Sequence, residues 1–312
     1  MVISLLQILA IILISPSVFH WARCKVSNPI LYTSGHKGQN LGRIAILLPM
    51  RNEETLAREK ITRVIEEIGA NASVQIVVID SDSKDRTSEV ASTALRESMF
   101  SDNNWHLIRA QKPGKSHALN LALAETESDL FIMMDADSVA ESGWFSKIAL
   151  PFVDSEVGVV SGLEKPFIQN SDSLRNSYRE ASDKIRIFES SLDSTTITEG
   201  ALFAWRASAL GKFTLDESLN ADDAQITFEA IRRGFRTIVI PELLFFDENP
   251  SKSWSARSIR RSQGISRVLL RNIDLIRSAP RPKARLSIFY ALFLYIIFPW
   301  ALALLISAQL YI

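Results

Sequence analysis

The chain is nearly without cysteine. Cys24 is its only one in 312 residues, so an internal disulfide framework is excluded and the composition fits a reducing compartment. It also lacks net charge, because 35 basic residues balance 35 acidic ones. No global field argues for nucleic acid, which we do not expect as a partner. Internal repeats and low-complexity segments are missing. Charge is missing locally as well. Residues 2–21 are nearly uncharged and residues 286–312 carry none. The overall hydrophobic share, 47%, is ordinary, but it is concentrated at these two ends.

The first apolar run lacks the basic start and the small-x-small cleavage site of a signal peptide. We expect a signal-anchor, ahead of an interfacial helix and a cleaved signal. Arg23, Lys25 and Lys37 follow it, which places the next domain in the cytoplasm by the positive-inside rule. The second run is long enough to span with tilt, and Pro299 can kink it. Arg277, Arg281, Lys283 and Arg285 precede it. Both ends therefore predict one topology for an integral cell-membrane protein, with the termini outside and the globular middle cytoplasmic.

In that middle, apolar strands alternate with helical stretches. The strand at 43–49 stops at Pro49 and is followed by Asn52-Glu53-Glu54. The strand at 74–79 closes on Asp80. After a short strand at 105–109, a turn carries Gly114 and Lys115. The strand at 131–134 runs directly into Asp135-Ala136-Asp137. This alternation predicts right-handed crossovers and a parallel sheet, in which ligands bind beyond the carboxyl ends of the strands. Glu53, Asp80, Lys115, Asp135 and Asp137 should then line one crevice.

Each residue has a chemical reading and a bland one. Asp135 and Asp137 can share a hard divalent ion completed by a substrate's phosphates, or cap the next helix. Asp80 can accept a hydrogen bond from a nucleobase N–H, or close an Asx turn, a role that suits Asp82 and Asp85 better. Lys115 can neutralise phosphate. Gly-Lys-Ser suggests a P-loop, but the upstream glycine at the required spacing is absent.

Four segments in order resemble the family 2 glycosyltransferases, which have the nucleotide-diphospho-sugar transferase (GT-A) fold. IAILLPMRNEE is similar to that family's first strand and Asn-Glu turn, with Pro49 and Glu53 on the donor side. VVIDSDSKDRT resembles its Asp-rich second strand end, KPGKSHALNLAL its Gly-Lys-x-x-Ala-Leu-Asn segment, and MMDADS its Asp-x-Asp metal motif. The resemblance implies an α/β GT-A fold with a mostly parallel sheet flanked by helices. It implies an enzyme of hexosyltransferase type that inverts the sugar and uses Mn2+ or Mg2+ held by Asp135 and Asp137. The expected partners are a nucleotide-diphospho-sugar donor, a lipid-linked or saccharide acceptor, and the membrane.

Further on, Glu199 to Arg206 resembles the family's Gly-rich strand beneath the acceptor site. Asp223 matches the family's catalytic base, with Asp222 in place of its glutamate. Capping by either residue at a helix N-terminus is compatible with that role. Residues 253–277 read as one basic amphipathic helix suited to a membrane surface. Within it, Arg260 aligns with the arginine of a Gln-x-x-Arg-Trp motif, while Arg261 stands where the tryptophan would be. Arg260 can contact the diphosphate or face lipid. The lost tryptophan and the scarcity of membrane segments argue against the alternative of a processive polysaccharide synthase. Retention of the crevice carboxylates argues against an inactive membrane adaptor. The expected division is an anchor at 1–22, a catalytic domain at 40–250, an interfacial helix at 251–280 and a transmembrane helix at 286–312.

Overall fold

The computed structural model describes residues 5–24, 41–69, 71–98, 100, 102–165, 173–247 and 254–310. Lys25, Lys37, Ser253 and the last two residues of the C-terminal apolar run lie outside them. The first described helix is α1 (Leu5–Cys24). Strand β1 (Ile44–Met50) reads IAILLPM, and all of it but Pro49 is buried. Such an unbroken apolar run suits a strand covered on both faces.

Strands β2 (Val74–Asp80), β3 (Trp105–Arg109) and β4 (Leu130–Met134) join β1 in the parallel order β3-β2-β1-β4. Helices α2 (Ala57–Ile68), α3 (Thr87–Glu97) and α4 (Lys115–Glu125) make the crossovers. The sheet continues beyond β4 with β7 (Leu202–Arg206), β6 (Val157–Glu164), β8 (Arg236–Asp247) and the short β5 (Ser138–Ala140). β7 runs antiparallel to both β4 and β6, β8 is parallel to β6, and β5 is antiparallel to β8. The sheet is thus parallel over the first strands, as expected from sequence, and mixed beyond them, because β7 and β5 run against their neighbours.

Helices α5 (Trp144–Ala149), α6 (Ser173–Leu192), α7 (Ala207–Leu210) and α8 (Asp222–Arg232) flank the sheet. Alternation along β1 separates two cores. Ile44, Ile46 and Leu48 pack with Ile61 and Val64 of α2 and Leu95 of α3. Ala45 and Leu47 pack with Leu119 of α4 and with Ile226 and Ala230 of α8.

A third core joins Ala224, Phe228 and Ile231 of α8 to Val268 and Leu269 of α9 (Trp254–Arg271), Leu275 of α10 (Leu275–Ser278), and Ala284 and Ile288 of α11 (Pro282–Leu292). The helix expected over 253–277 breaks after Arg271. There the Asn272 side chain donates to the Val268 carbonyl at 2.9 Å, and Asp274 pairs with Arg232 at 2.9 Å. A π turn, Phe293–Ile297, leads into α12 (Phe298–Leu310).

Two stretches, Gln7–Cys24 and Pro282–Ser307, are long and apolar enough to cross a membrane, and only 22% of each window is buried. Ile8, Ile11 and Ile12 of α1 and Trp300 and Ile306 of α12 face outward. The inner side of α1 is tied down. His20 stacks on Tyr290 of α11 at 4.0 Å between centroids, and its Nε2 lies 3.1 Å from Oε1 of the buried Glu189 in α6.

Candidate active site

The strand ends are laced by hydrogen bonds from backbone to side chain. Asn52 takes a positive φ of 54° at the end of β1; its N–H donates to Ser83 Oγ and its side-chain oxygen accepts the Lys84 N–H. The Glu53 N–H donates to Thr87 Oγ1 at 2.8 Å, and the Glu54 N–H to Asp85 at 3.2 Å. Desolvation opposes the Asp85 charge, but hydrogen bonds from Thr87 and Glu54 together outweigh it and hold the carboxyl below its ordinary range. Asp85 is therefore a structural knot, as the bland reading of it held.

Asp80 is partly one too. It is 7% exposed, and its Oδ1 accepts the N–H of Ser83, three residues on, at 3.0 Å. It stands behind the cleft rather than in its lining.

The cleft itself has a volume of about 500 Å³. Pro49, Glu53, Lys115, Asp135, Asp137 and Arg260 all line it, so the structure brings together six of the residues singled out from sequence. Gly114, at φ 141°, makes the turn that delivers Lys115 at the head of α4. A side chain would be strained there. Ser81 fixes this turn to the end of β2 by accepting the Gly114 N–H at 2.9 Å.

Lys115 Nζ then reaches Asp135 Oδ1 at 2.7 Å and Asp222 Oδ2 at 3.2 Å. Burial works against its charge, but Asp135 and Asp222 overcome that penalty and hold the ammonium above its ordinary value. Lys115 is thus a fixed cation between the strand-end carboxylates and the head of α8.

Asp222, read from sequence as standing in place of the family's glutamate or as a cap at a helix start where the dipole favours carboxylates, is here the second carboxylate paired with Lys115. Asp223 lies next door, in an adjoining cavity of about 510 Å³ that shares Lys115, Asp135, Asp222 and Arg260 with the cleft. Its Oδ1 accepts the Ala224 N–H at 2.8 Å. Gly200 gives it room, because a Cβ there would sit 3.2 Å from Asp223 Oδ2. Gly264 of α9 lets that helix close on the same corner; a Cβ on it would lie 2.7 Å from the Asn220 carbonyl oxygen. Asn120 of α4 pins the approach to α8, exchanging two 2.9 Å hydrogen bonds with the Leu215 backbone.

Burial, then the neighbouring Asp222 charge, push the Asp223 carboxyl up to about 7, against the opposing pull of Lys115 and the Ala224 N–H. A carboxylate that ionises near neutral pH is matched to accepting a proton.

The far wall of this cavity is a charge network that the sequence did not announce. Glu199 is held by Arg186 at 2.6 Å and faces Arg261 at 3.7 Å. Burial disfavours its charge, yet Arg186 and Arg261 keep the carboxyl below its ordinary range. Arg261, which stands where the family motif has tryptophan, is here the cation facing Glu199. Arg260 has no ion-pair partner among the described residues and points its charge into both spaces.

The donor set suits a divalent ion completed from outside. Asp135 and Asp137 offer hard oxygen ligands on the cleft wall. No group of three or more His, Cys, Asp or Glu side chains gathers for a metal among the described residues. An ion held here would take its remaining ligands from substrate oxygens and water.

The model of the family described as glycosyl transferase family 2 matches residues 45–220. A probable glycosyltransferase, YdaM, of Bacillus subtilis is 23% identical over 278 residues, covering 83% of this chain and 64% of its own length. The 4,4'-diaponeurosporenoate glycosyltransferase of Staphylococcus haemolyticus is 33% identical over 104 residues, 32% of this chain and 26% of its own. The chain therefore spans less than two thirds of either relative. Among solved structures, the mannosyltransferase PcManGT of Pyrobaculum calidifontis, in complex with GDP-Man and Mn2+, superposes with a TM-score of 0.82 at 23% identity, over 97% of this chain and 86% of that one. Glucosyl-3-phosphoglycerate synthase of Mycobacterium tuberculosis, with Mn2+ and UDP, gives 0.52 at 15% identity, over 77% and 86%. These likenesses show the GT-A fold.

Proposed function

The chain belongs to glycosyl transferase family 2, and from that premise we propose an inverting, metal-dependent transfer of a sugar from a nucleotide-diphospho-sugar to a lipid-linked or saccharide acceptor at the cytoplasmic membrane face. One observation carries the reading. Lys115, Asp135, Asp137 and Arg260 meet on a cleft that opens directly onto Asp223. Anion-binding charge and a candidate base thus stand on adjoining spaces.

In this reading Lys115 and Arg260 bind and orient the diphosphate, and Pro49 and Glu53 border the nucleotide. Mn2+ or Mg2+ bound by Asp135 and Asp137 supplies neutralisation of the leaving diphosphate. The Mn2+ and nucleotides held by the Pyrobaculum and Mycobacterium proteins support this assignment. An acceptor hydroxyl lies against Asp223, which takes its proton as oxygen bonds to the anomeric carbon. Inversion follows from attack on the face opposite the diphosphate. Residues 40–250, together with Arg260 from the following helix, supply this machinery, while 1–22, 251–280 and 286–312 hold it at the membrane. Two helices with outward apolar faces support that placement.

The test uses the full-length protein with a panel of uridine and guanosine diphosphate sugars. We expect hydrolysis or transfer that stops on chelation, and thermal protection by a nucleoside diphosphate only with Mn2+ or Mg2+ present. Absence of turnover and of protection across the whole panel overturns the reading.

A further inference from the structure

Past Asp223 the site does not end. A third cavity of about 510 Å³ lies between the candidate membrane helices and the catalytic domain. Val18 and Trp21 of α1, Ile185 of α6, and Leu294, Phe298 and Pro299 of the C-terminal helical run form its apolar walls. Tyr178, Ser182, Ser262 and Tyr295 line both this cavity and the one that holds Asp223. The two spaces therefore adjoin at four hydroxyl-bearing residues. Neither the strand-end chemistry nor the nucleotide assignment uses this apolar space.

We infer that this cavity seats the hydrocarbon chain of the acceptor, a membrane lipid whose head presents a hydroxyl to Asp223. The inference rests on the proposed function and names its acceptor class.

Polarity is graded along the path. Apolar walls come first, then the four hydroxyl-bearing residues, then Arg261, Glu199 and Asp223. An amphiphile has the same order of chain, polar linkage and head. Access is consistent as well. The walls come from α1 and the C-terminal run, the segments apolar enough to cross a membrane, so a chain enters sideways from the bilayer without crossing a polar surface. The volume is that of a ligand pocket rather than a packing defect. A free saccharide would leave this lining uncovered.

The groups around Asp223 select a hydroxyl head rather than a phosphate. Asp222 and Asp223 stand side by side, Arg186 and Arg261 are already directed at Glu199, and Lys115 and Arg260, which this space shares with the cleft, are taken by the donor's diphosphate. A base is needed where the nucleophile still carries its proton. In the step, the lipid hydroxyl oxygen bonds to the anomeric carbon. The bond from that carbon to the diphosphate oxygen breaks, and the electron pair leaves on the diphosphate. The hydroxyl proton passes to Asp223.

The experiment places the full-length protein in lipid nanodiscs with a diazirine-bearing sixteen-carbon alcohol, then maps the photolabelled peptides. The same preparations are given labelled nucleotide sugars and a total membrane lipid extract, and sugar entering the organic phase is counted. Ala181→Trp and Ser266→Phe fill the cavity, since both residues line it and neither lines the space around Asp223. We expect the alcohol to label α6 and the stretch from Leu294 to Pro299. Both variants should lose about tenfold or more of that labelling and of lipid-directed transfer, while keeping wild-type protection by nucleoside diphosphate and Mn2+. The retained protection shows that they fold.

Label confined to the outward faces at Ile8, Ile11 and Trp300, and unchanged in both variants, overturns the inference. So does wild-type transfer to lipid by both variants. If sugar passes only to water-soluble acceptors, the acceptor class falls and the donor chemistry stands. Cavity labelling without any nucleotide protection instead overturns the donor reading, and with it the acceptor role.

Discussion

Between Pro49 and Asp137, the polar residues that line the cleft come from strand ends and the turns after them, and these loops are closed by hydrogen bonds such as Asn52 to Ser83 and Glu53 to Thr87. Around Asp223 the assembly is different. Glu199, Arg186, Arg261 and Asp223 come from four separated segments, joined by ion pairs and by helices packed on α8. The first region inherits its geometry from a parallel sheet and needs little else. The second exists only when α6, α8 and α9 are all in place. Damage to one should be separable from damage to the other, with Lys115 as the contact between them.

The largest effect is expected at the second region. Asp223→Asn should reduce transfer to a hydroxyl acceptor by about 10²- to 10⁴-fold, the range for a lost general base, with donor binding intact by calorimetry. Equal loss of donor binding would mean that Asp223 is structural and that the two regions are not separable. Asp137→Asn should do the reverse. Metal-dependent nucleotide binding should fall by at least the roughly 100-fold that even outer partners of a metal contribute, and unchanged binding would sink the metal assignment.

The comparison sharpens with pH. Asp223, with its carboxyl pushed up to about 7, gains its working charge as pH rises through that value. Transfer should climb about tenfold between pH 6 and pH 8 while donor binding stays nearly level. For stability the same shift has the opposite sign. The folded state favours the protonated carboxyl, so its contribution is present below the ordinary carboxylate range and is lost as pH rises through about 7. A flat transfer profile would remove Asp223 from the base role.

The smallest effect belongs to Gly264→Ala. The added Cβ meets a backbone oxygen at 2.7 Å and cannot be relieved by a rotamer change. Overpacking of this kind costs about 1–3 kcal/mol, visible as a lowered melting temperature. Transfer should suffer more than donor binding, because α9 moves off the head of α8. Equal loss in both would show that the corner at Asn220 and Ala221 supports the whole cleft.

This contrast also explains what could be read from sequence. Glu53, Lys115, Asp135 and Asp137 were legible because a strand end and the turn after it are local, and a parallel sheet brings such ends to one rim. Asp80 was only half legible. Its strand-end position is right, but its Oδ1 is turned back to the Ser83 N–H, and a side-chain rotamer leaves no trace in spacing. The network of Arg186, Glu199 and Arg261 was not legible, because no periodicity links residues brought together by tertiary packing. The break after Arg271 was hidden for a similar reason. The apolar spacing continues through Ile273 and Ile276, while Asn272 and Asp274 are drawn into contacts with Val268 and Arg232.

Helix α8 belongs to two cores at once, with Ile226 and Ala230 in the sheet and Phe228 and Ile231 against α9, α10 and α11. That shared membership bears on how the molecule can be taken apart. A soluble fragment ending near residue 250 would keep every strand and nearly every residue of the cleft. It would also strip one flank of α8 and leave buried aromatic and aliphatic surface bare. The helix that carries Asp223 at its head would lose half of its bedding. The catalytic domain and the candidate membrane helices are therefore not modules that can be exchanged between proteins at a linker. They share a structural beam, and any chimera or truncation has to carry α9 to α11 along with the catalytic part or rebuild the face that they cover.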